Sequence, residues 1–229
     1  MDKHFIEEVI EWDVENWKHA LLFWNDVIQA TTENENKGLE LGGRRGGPSL
    51  WLASKGYDVV CSDLENPQEN AKLLHDKYKT SGVISYEAIS ATNIPYENHF
   101  DVIVMKSIIG GVSHSGQDEL QKKVIDECLK ALKPGGQLLF AENLDASVLH
   151  RFARKRFVKW GSAWNYLKYK NIPNLFTDWK SLKFETVGFF AAFGRSENQR
   201  RMLGKIDRFF HPILPKKIKY IVYGVAVKK

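Results

Sequence analysis

Between residues 37 and 143, short apolar runs alternate with helix-patterned segments, and this alternation restricts the fold more than any other feature. The runs are "GLEL", "YDVVCSD", "VISYEAIS", "FDVIVMKS" and "QLLFAEN". Between them lie "PSLWLASKG", "AKLLHDKYKTSG" and "DELQKKVIDECLKALKPGG". The last is the clearest helix. Leu120, Val124, Cys128 and Leu132 recur every four residues, and Pro134-Gly135-Gly136 stops it. Pro48 suits a first helical turn and Gly56 a C-terminal stop. Strands joined through helices must pair in parallel, with both sheet faces covered, so the chain is of the α/β class. Two late β-rich runs, Phe184 to Phe193 and Lys219 to Lys228, predict a terminal pair of strands. Ahead of the sheet, Asp13 is placed to cap a helix whose apolar face is Trp17, Leu21, Trp24 and Ile28.

The turn after the first run reads Glu40-Leu41-Gly42-Gly43-Arg44-Arg45-Gly46. A glycine turn at the carboxyl end of a parallel strand lets a ligand approach the backbone closely, whether a dinucleotide or S-adenosylmethionine (SAM). Glu40 would repel a pyrophosphate but suits the ammonium of a methionine moiety. Arg44 and Arg45 interrupt the glycine spacing that a dinucleotide needs. Asp63 ends the second strand, ~20 residues on, where an acid accepts ribose hydroxyls. Glu40 and Asp63 together favour SAM over NAD.

On these residues the sequence resembles the class I SAM-dependent methyltransferases, whose first motif is acid-x-Gly-x-Gly-x-Gly. Arg44 replaces the central glycine. Asp63 matches the acid after the second strand. "SATNIPY" (90–96) resembles the third motif, with Ser90 where an Asp is usual. "FDVIVMKS" resembles the fourth motif and "LKALKPGGQLLFAE" the fifth. The resemblance implies a Rossmann-like fold: a mostly parallel seven-stranded sheet, helices on both faces, and an antiparallel C-terminal strand. It also implies SAM as methyl donor and S-adenosylhomocysteine as product; no metal is expected, since no ligand set appears in the sequence. Expected cofactor contacts are Glu40, Gly42, Gly43, Gly46, Asp63 and Leu64, then Ser90, Ala91 and Thr92, then Lys106 and Ser107. Arg44 is expected to face solvent or pair with an acid.

A hydroxyl acceptor needs a base. The candidates follow the fourth and fifth strands: His114, Glu142 and His150. The seven histidines show no metal-ligand spacing. The Asn-Pro-Pro-Tyr signature of amino-directed nucleic-acid enzymes is absent after the fourth strand, where the chain reads Met105-Lys106-Ser107-Ile108.

Charge is unevenly spread. Residues 1–150 hold 14 Lys and Arg against 24 Asp and Glu, a balance of −10. Residues 151–229 hold 19 against 4, a balance of +15. The basic third interleaves cations with aromatics in "RFARKRFVKWGSAWNYLKYK". It points to an anionic partner: a small-molecule or glycan acceptor bearing phosphate, or a membrane surface met by the basic amphipathic segment "RRMLGKIDRFFHPILPKKIKY". A looser resemblance of the tail to bacterial surface-polysaccharide methyltransferases implies a sugar hydroxyl as acceptor. An RNA methyltransferase and a SAM-binding regulator without turnover are the alternatives. Cys61 and Cys128 read as buried thiols of a reduced cytoplasm. No signal peptide or membrane-spanning run is seen, so a cytoplasmic enzyme is expected, peripheral at most to the inner membrane face. One domain is expected: a helical cap (1–36), a SAM-binding core (37–147), a basic aromatic insertion (148–183), and a terminal strand pair with its own insertion (184–229).

Overall fold

A computed structural model of the chain describes residues 1–28, 36–113, 117–158 and 164–229. Strands β1 (Lys37–Leu41), β2 (Asp58–Asp63), β3 (Ile84–Ala88), β4 (Phe100–Lys106) and β5 (Leu132–Asn143) pair in parallel. Strands β6 (Ser181–Val187) and β7 (Ile221–Val227) add an antiparallel end. The order is β3-β2-β1-β4-β5-β7-β6.

Covered faces explain the near-continuous apolar runs. Alternate residues of a strand point to opposite faces. In β4, Val102 and Val104 join one core while Ile103 and Met105 join the other; in β5, Leu139 and Ala141 oppose Leu138 and Phe140. The first core is closed by helices α1 (Lys3–Ile10), α2 (Val14–Val27), α3 (Gly47–Ala53) and α4 (Pro67–Lys77). The second is closed by α5 (Asp118–Ala131) and the short α7 (Ile172–Leu175); α6 (Val148–Phe157) precedes α7, and α8 (Glu197–Phe210) lies before β7.

Three local expectations are corrected. The first late strand stops at Val187, not Phe193: Gly188 turns at φ +80° against the Tyr220 ring, and residues 191–193 form a helical turn. The fifth strand begins at Leu132, so Pro134-Gly135-Gly136 lies inside a strand with an irregular register rather than between elements. Asp13 precedes α2 but makes no side-chain cap. It sits at φ +46°, in the left-handed region. The Glu197 carboxylate does the capping, accepting from the backbone N–H of Asp13 (2.8 Å) and Val14 (3.0 Å). The Asp13 side chain is thereby released for another use.

Candidate functional site

Strand order reverses between β1 and β4, and a crevice opens beyond their carboxyl ends, where α/β sheets bind ligands. There the structure has a cavity of about 590 Å³, large enough for a small ligand. One wall is the glycine turn. Gly42 lies at φ +64°, and a Cβ there would meet Ile108 Cδ1 at 2.0 Å, so only glycine fits the turn as packed. A Cβ on Gly43 would lie 2.9 Å from Cys61 Sγ and 3.2 Å from Glu40 Cδ. The Glu40 carboxylate is buried and accepts from Ser49 N at 2.7 Å, in the first turn of α3. Burial pushes Glu40 up to about 8. A cationic ligand group beside it would favour the carboxylate. At the next strand end, Asp63 accepts from Arg44 N (2.9 Å) and Leu64 N (2.8 Å) and lines the cavity.

The two arginines turn away from phosphate chemistry. Arg44 takes φ +51°, the left-handed conformation its glycine counterpart would adopt freely. Its guanidinium lies 4.0 Å from Glu11 and 5.3 Å from the Trp12 ring. Arg45 pairs with Glu8 and Glu11 at 3.5 and 3.6 Å. These contacts tie the α1–α2 junction over the turn. Lys106 secures it from below: its buried Nζ donates to Ile10 O at 2.9 Å and lies 3.0 Å from the Trp12 ring centre. Burial brings Lys106 down to about 7.

Opposite the turn stands a polar wall built from chain segments 200 residues apart. Tyr220 OH donates to Asp13 Oδ2. Asn16 Nδ2 donates to Tyr220 OH (3.0 Å) and Asp207 (2.9 Å). Asp207 accepts from the N–H groups of Phe189, Phe190 and Ala191. Asp13 lines the cavity with only 4% exposure, and its Oδ1 has no partner among the described residues. Burial raises Asp13 to about 7, partly offset by the Tyr220 hydrogen bond and by Arg200. Beside it come Arg200, held to Gly194 O at 3.2 Å, and Arg154, stacked 3.9 Å from the Tyr166 ring. Trp17 and Trp164 complete the aromatic lining. Trp164 reaches it because Gly110 and Gly111 leave room; a Cβ on Gly110 would meet its Nε1 at 2.0 Å.

Of the expected cofactor residues, Glu40, Gly42, Gly43, Asp63, Lys106 and Ser107 share the cavity. Gly46 does not line it; its carbonyl faces His75 Nε2 at 2.9 Å, under α4. Leu64 and the Ser90–Thr92 turn also lie outside the lining. They follow the ends of β2 and β3, where Ile89 N donates to Asp63 O and Ser90 Oγ meets Thr92 Oγ1 at 3.0 Å; Leu64 is exposed and Ala91 buried. Among the expected bases, His114 lies outside the described residues. Glu142 does not line the cavity. Its carboxylate faces Gly110 N and accepts from Asn143 N, bracing the loop after β4, and burial raises it to about 7. His150 does not line it either; Ser147 Oγ (2.7 Å) and Phe189 O (2.9 Å) occupy its two nitrogens, and burial lowers it to about 4. Sequence reasoning missed Asp13 and Tyr220 as a pair. Each is an ordinary residue locally, and only the β7–α2 contact joins them.

A 3-2-1-4-5-7-6 sheet, with a glycine turn and with acids at or next to the ends of its first two strands, is the Rossmann-like fold of the class I methyltransferases. Residues 39–140 match the sequence profile of the family described as a methyltransferase domain. No curated protein sequence registers as a match. Among solved structures, phosphoethanolamine N-methyltransferase 2 of Haemonchus contortus, in complex with SAM, superposes with a TM-score of 0.63 at 17% identity, covering 93% of this chain and 52% of the other. The chain thus spans about half the length of that enzyme. A putative sarcosine dimethylglycine methyltransferase from Galdieria sulphuraria gives 0.60 at 16% identity, with 93% and 84% coverage. A putative methyltransferase from Bacillus halodurans gives 0.61 at 13%, with 92% and 97%.

Proposed function

We propose that the enzyme methylates a small acceptor carrying an anionic group, held between the glycine turn and the wall of Asp13, Arg154 and Arg200. The observation that carries this reading is the composition of one cavity. Carboxylates at Glu40 and Asp63 suit the amino acid and ribose ends of SAM. Across from them, Arg154 and Arg200 offer planar donors for phosphate or carboxylate among aromatic faces. SAM supplies an electrophilic methyl group on a sulfonium. The protein's part is to align the acceptor, exclude water and take up its proton. Asp13 is the group for that last role: it lines the cavity, one oxygen is oriented by Tyr220, and the other has no partner among the described residues.

The aromatic faces and the looser sequence resemblance favour a phosphorylated sugar, methylated on a hydroxyl. A phosphorylated amino alcohol is the second reading, since a carboxylate at Asp13 beside Trp12 and Trp17 also suits an ammonium. The Haemonchus enzyme has been seen with phosphomonomethylethanolamine and S-adenosylhomocysteine. The test begins with calorimetry of SAM and S-adenosylhomocysteine; neither binding removes the cofactor assignment. Release of S-adenosylhomocysteine is then followed over sugar phosphates, phosphoethanolamine and their dephosphorylated counterparts. Equal turnover of the neutral compounds defeats the anion requirement.

A further inference from the structure

Nine of the fourteen exposed large apolar side chains among the described residues lie in two short segments, 148–157 and 202–213. Scattered exposed apolar groups are ordinary; clustered ones mark an interaction surface. On α6, Val148 (72% exposed), Leu149, Phe152 (63%) and Phe157 face solvent while His150 is buried. Along α8 and just beyond it, Met202, Ile206, Phe209 (74%) and Ile213 recur at spacings of four, three and four. Gly204 and Asp207, between them, face inward; a Cβ on Gly204 would meet the Glu15 side chain. The segment 189–195 joins the two helices. His150 packs on Phe189 (4.7 Å), Phe190 on Phe210 (5.6 Å), and the Arg195 guanidinium lies over Phe157 (5.7 Å).

Cations are set among these apolar groups. Helix α6 carries Arg151, Arg154, Lys155 and Arg156 with no acid. Helix α8 has two acids, and both are spent inward: Glu197 caps α2 and Asp207 holds the 189–191 amides. Lys155, Arg156 and Lys205 have no carboxylate partner among the described residues.

The geometry points to an anionic lipid bilayer as the occupant of this face, with α6 and α8 lying in the interface. Aliphatic Val148, Leu149, Ile206 and Ile213 cannot stack on nucleic-acid bases, as an RNA site would require. Unpaired lysines are disfavoured at the centre of protein–protein interfaces. Both features suit headgroup phosphates above an acyl boundary. The same helices supply Arg154 and Arg200 to the cavity, so docking seats the cavity at the bilayer surface, in reach of a lipid-borne acceptor. The docking itself does not rest on the acceptor reading.

The test is co-sedimentation of the full chain with phosphatidylcholine vesicles, with and without about one-third phosphatidylglycerol, at about 0.1 M salt. Binding is expected to the anionic vesicles, falling at about 0.5 M salt. The double variant Phe152→Asp/Phe209→Asp should lose at least about tenfold in partitioning, as should Lys155→Glu/Arg156→Glu. Leu73→Asp, at an 83% exposed position on α4, should bind like the parent. Circular dichroism melts and SAM affinity should match the parent in all variants, which separates lost docking from lost folding. No binding to anionic vesicles, or equal binding to neutral ones, overturns the proposal. So does a concentration-dependent dimer, seen by light scattering, that Phe152→Asp/Phe209→Asp dissolves, or RNA binding lost in the charge variant and kept in the phenylalanine one.

Discussion

Replacing Asp13 by Asn isolates the electrostatics of the wall opposite the glycine turn, because Asn keeps the shape, tolerates φ +46° and still accepts from Tyr220. The carboxyl goes from 3.8 unfolded to about 7 folded, chiefly through burial. Its folded value is raised, so between these limits the folded state binds more protons than the unfolded one. The parent must therefore lose stability as pH rises through that window. Over the two units from pH 5 to about 7, at 1.36 kcal/mol per unit, the loss is roughly 3 kcal/mol. Asn has no proton to lose. It carries instead a constant penalty of about 1–3 kcal/mol for a buried amide N–H in place of Oδ1, which has no partner among the described residues. Every other titrating group is common to both proteins, so the stability of Asp13→Asn relative to the parent should climb by roughly 3 kcal/mol from pH 5 to pH 8. The sign at any one pH is not diagnostic; the climb is. Urea unfolding followed by tryptophan fluorescence at four pH values measures it. A flat difference means Asp13 ionises in the folded protein as it does in water, and its proposed role as proton acceptor fails with it.

Asp63→Ala removes the acceptor for Arg44 N and Leu64 N and should weaken SAM binding by ~1–3 kcal/mol in calorimetry; unchanged affinity would move the ribose elsewhere. Gly47→Ala places a Cβ 2.2 Å from the Val9 carbonyl, so it should destabilise the fold by more than about 1 kcal/mol and loosen α1, seen as faster amide exchange over residues 3–10. Cys61 and Cys128 are buried, and burial pushes both thiols up, so neither should react with Ellman's reagent until guanidinium unfolds the chain. Once an acceptor is in hand, Arg154→Ala should raise its KM by at least about tenfold while SAM affinity holds, which equal loss of both would contradict.

Legibility in the sequence followed the range of the interactions involved. The parallel core could be read because period-two burial on both faces leaves a mark in each strand, as in Val102–Met105. The place of Glu40, Gly42, Gly43 and Asp63 at the cavity could be read because it depends on a strand end and the turn beside it. Arg44 and Arg45 could be recognised as a departure from the pattern, but not explained. Their partners, Glu8 and Glu11, lie more than 30 residues away, and only the docking of α1 over the turn brings them near.

The sequence by itself determined the fold class and the glycine-turn side of the cavity, since local propensity and backbone sterics act within a few residues. Tertiary structure decided the opposite wall. Asp13 became a buried, half-satisfied acid because Glu197 took over the helix cap and β7 brought Tyr220 against it. Glu142 and His150 were drawn into bracing loops and away from the cavity. Such roles are set by which side chains meet across the fold and by what burial does to their charge, and neither is written in the spacing of one segment.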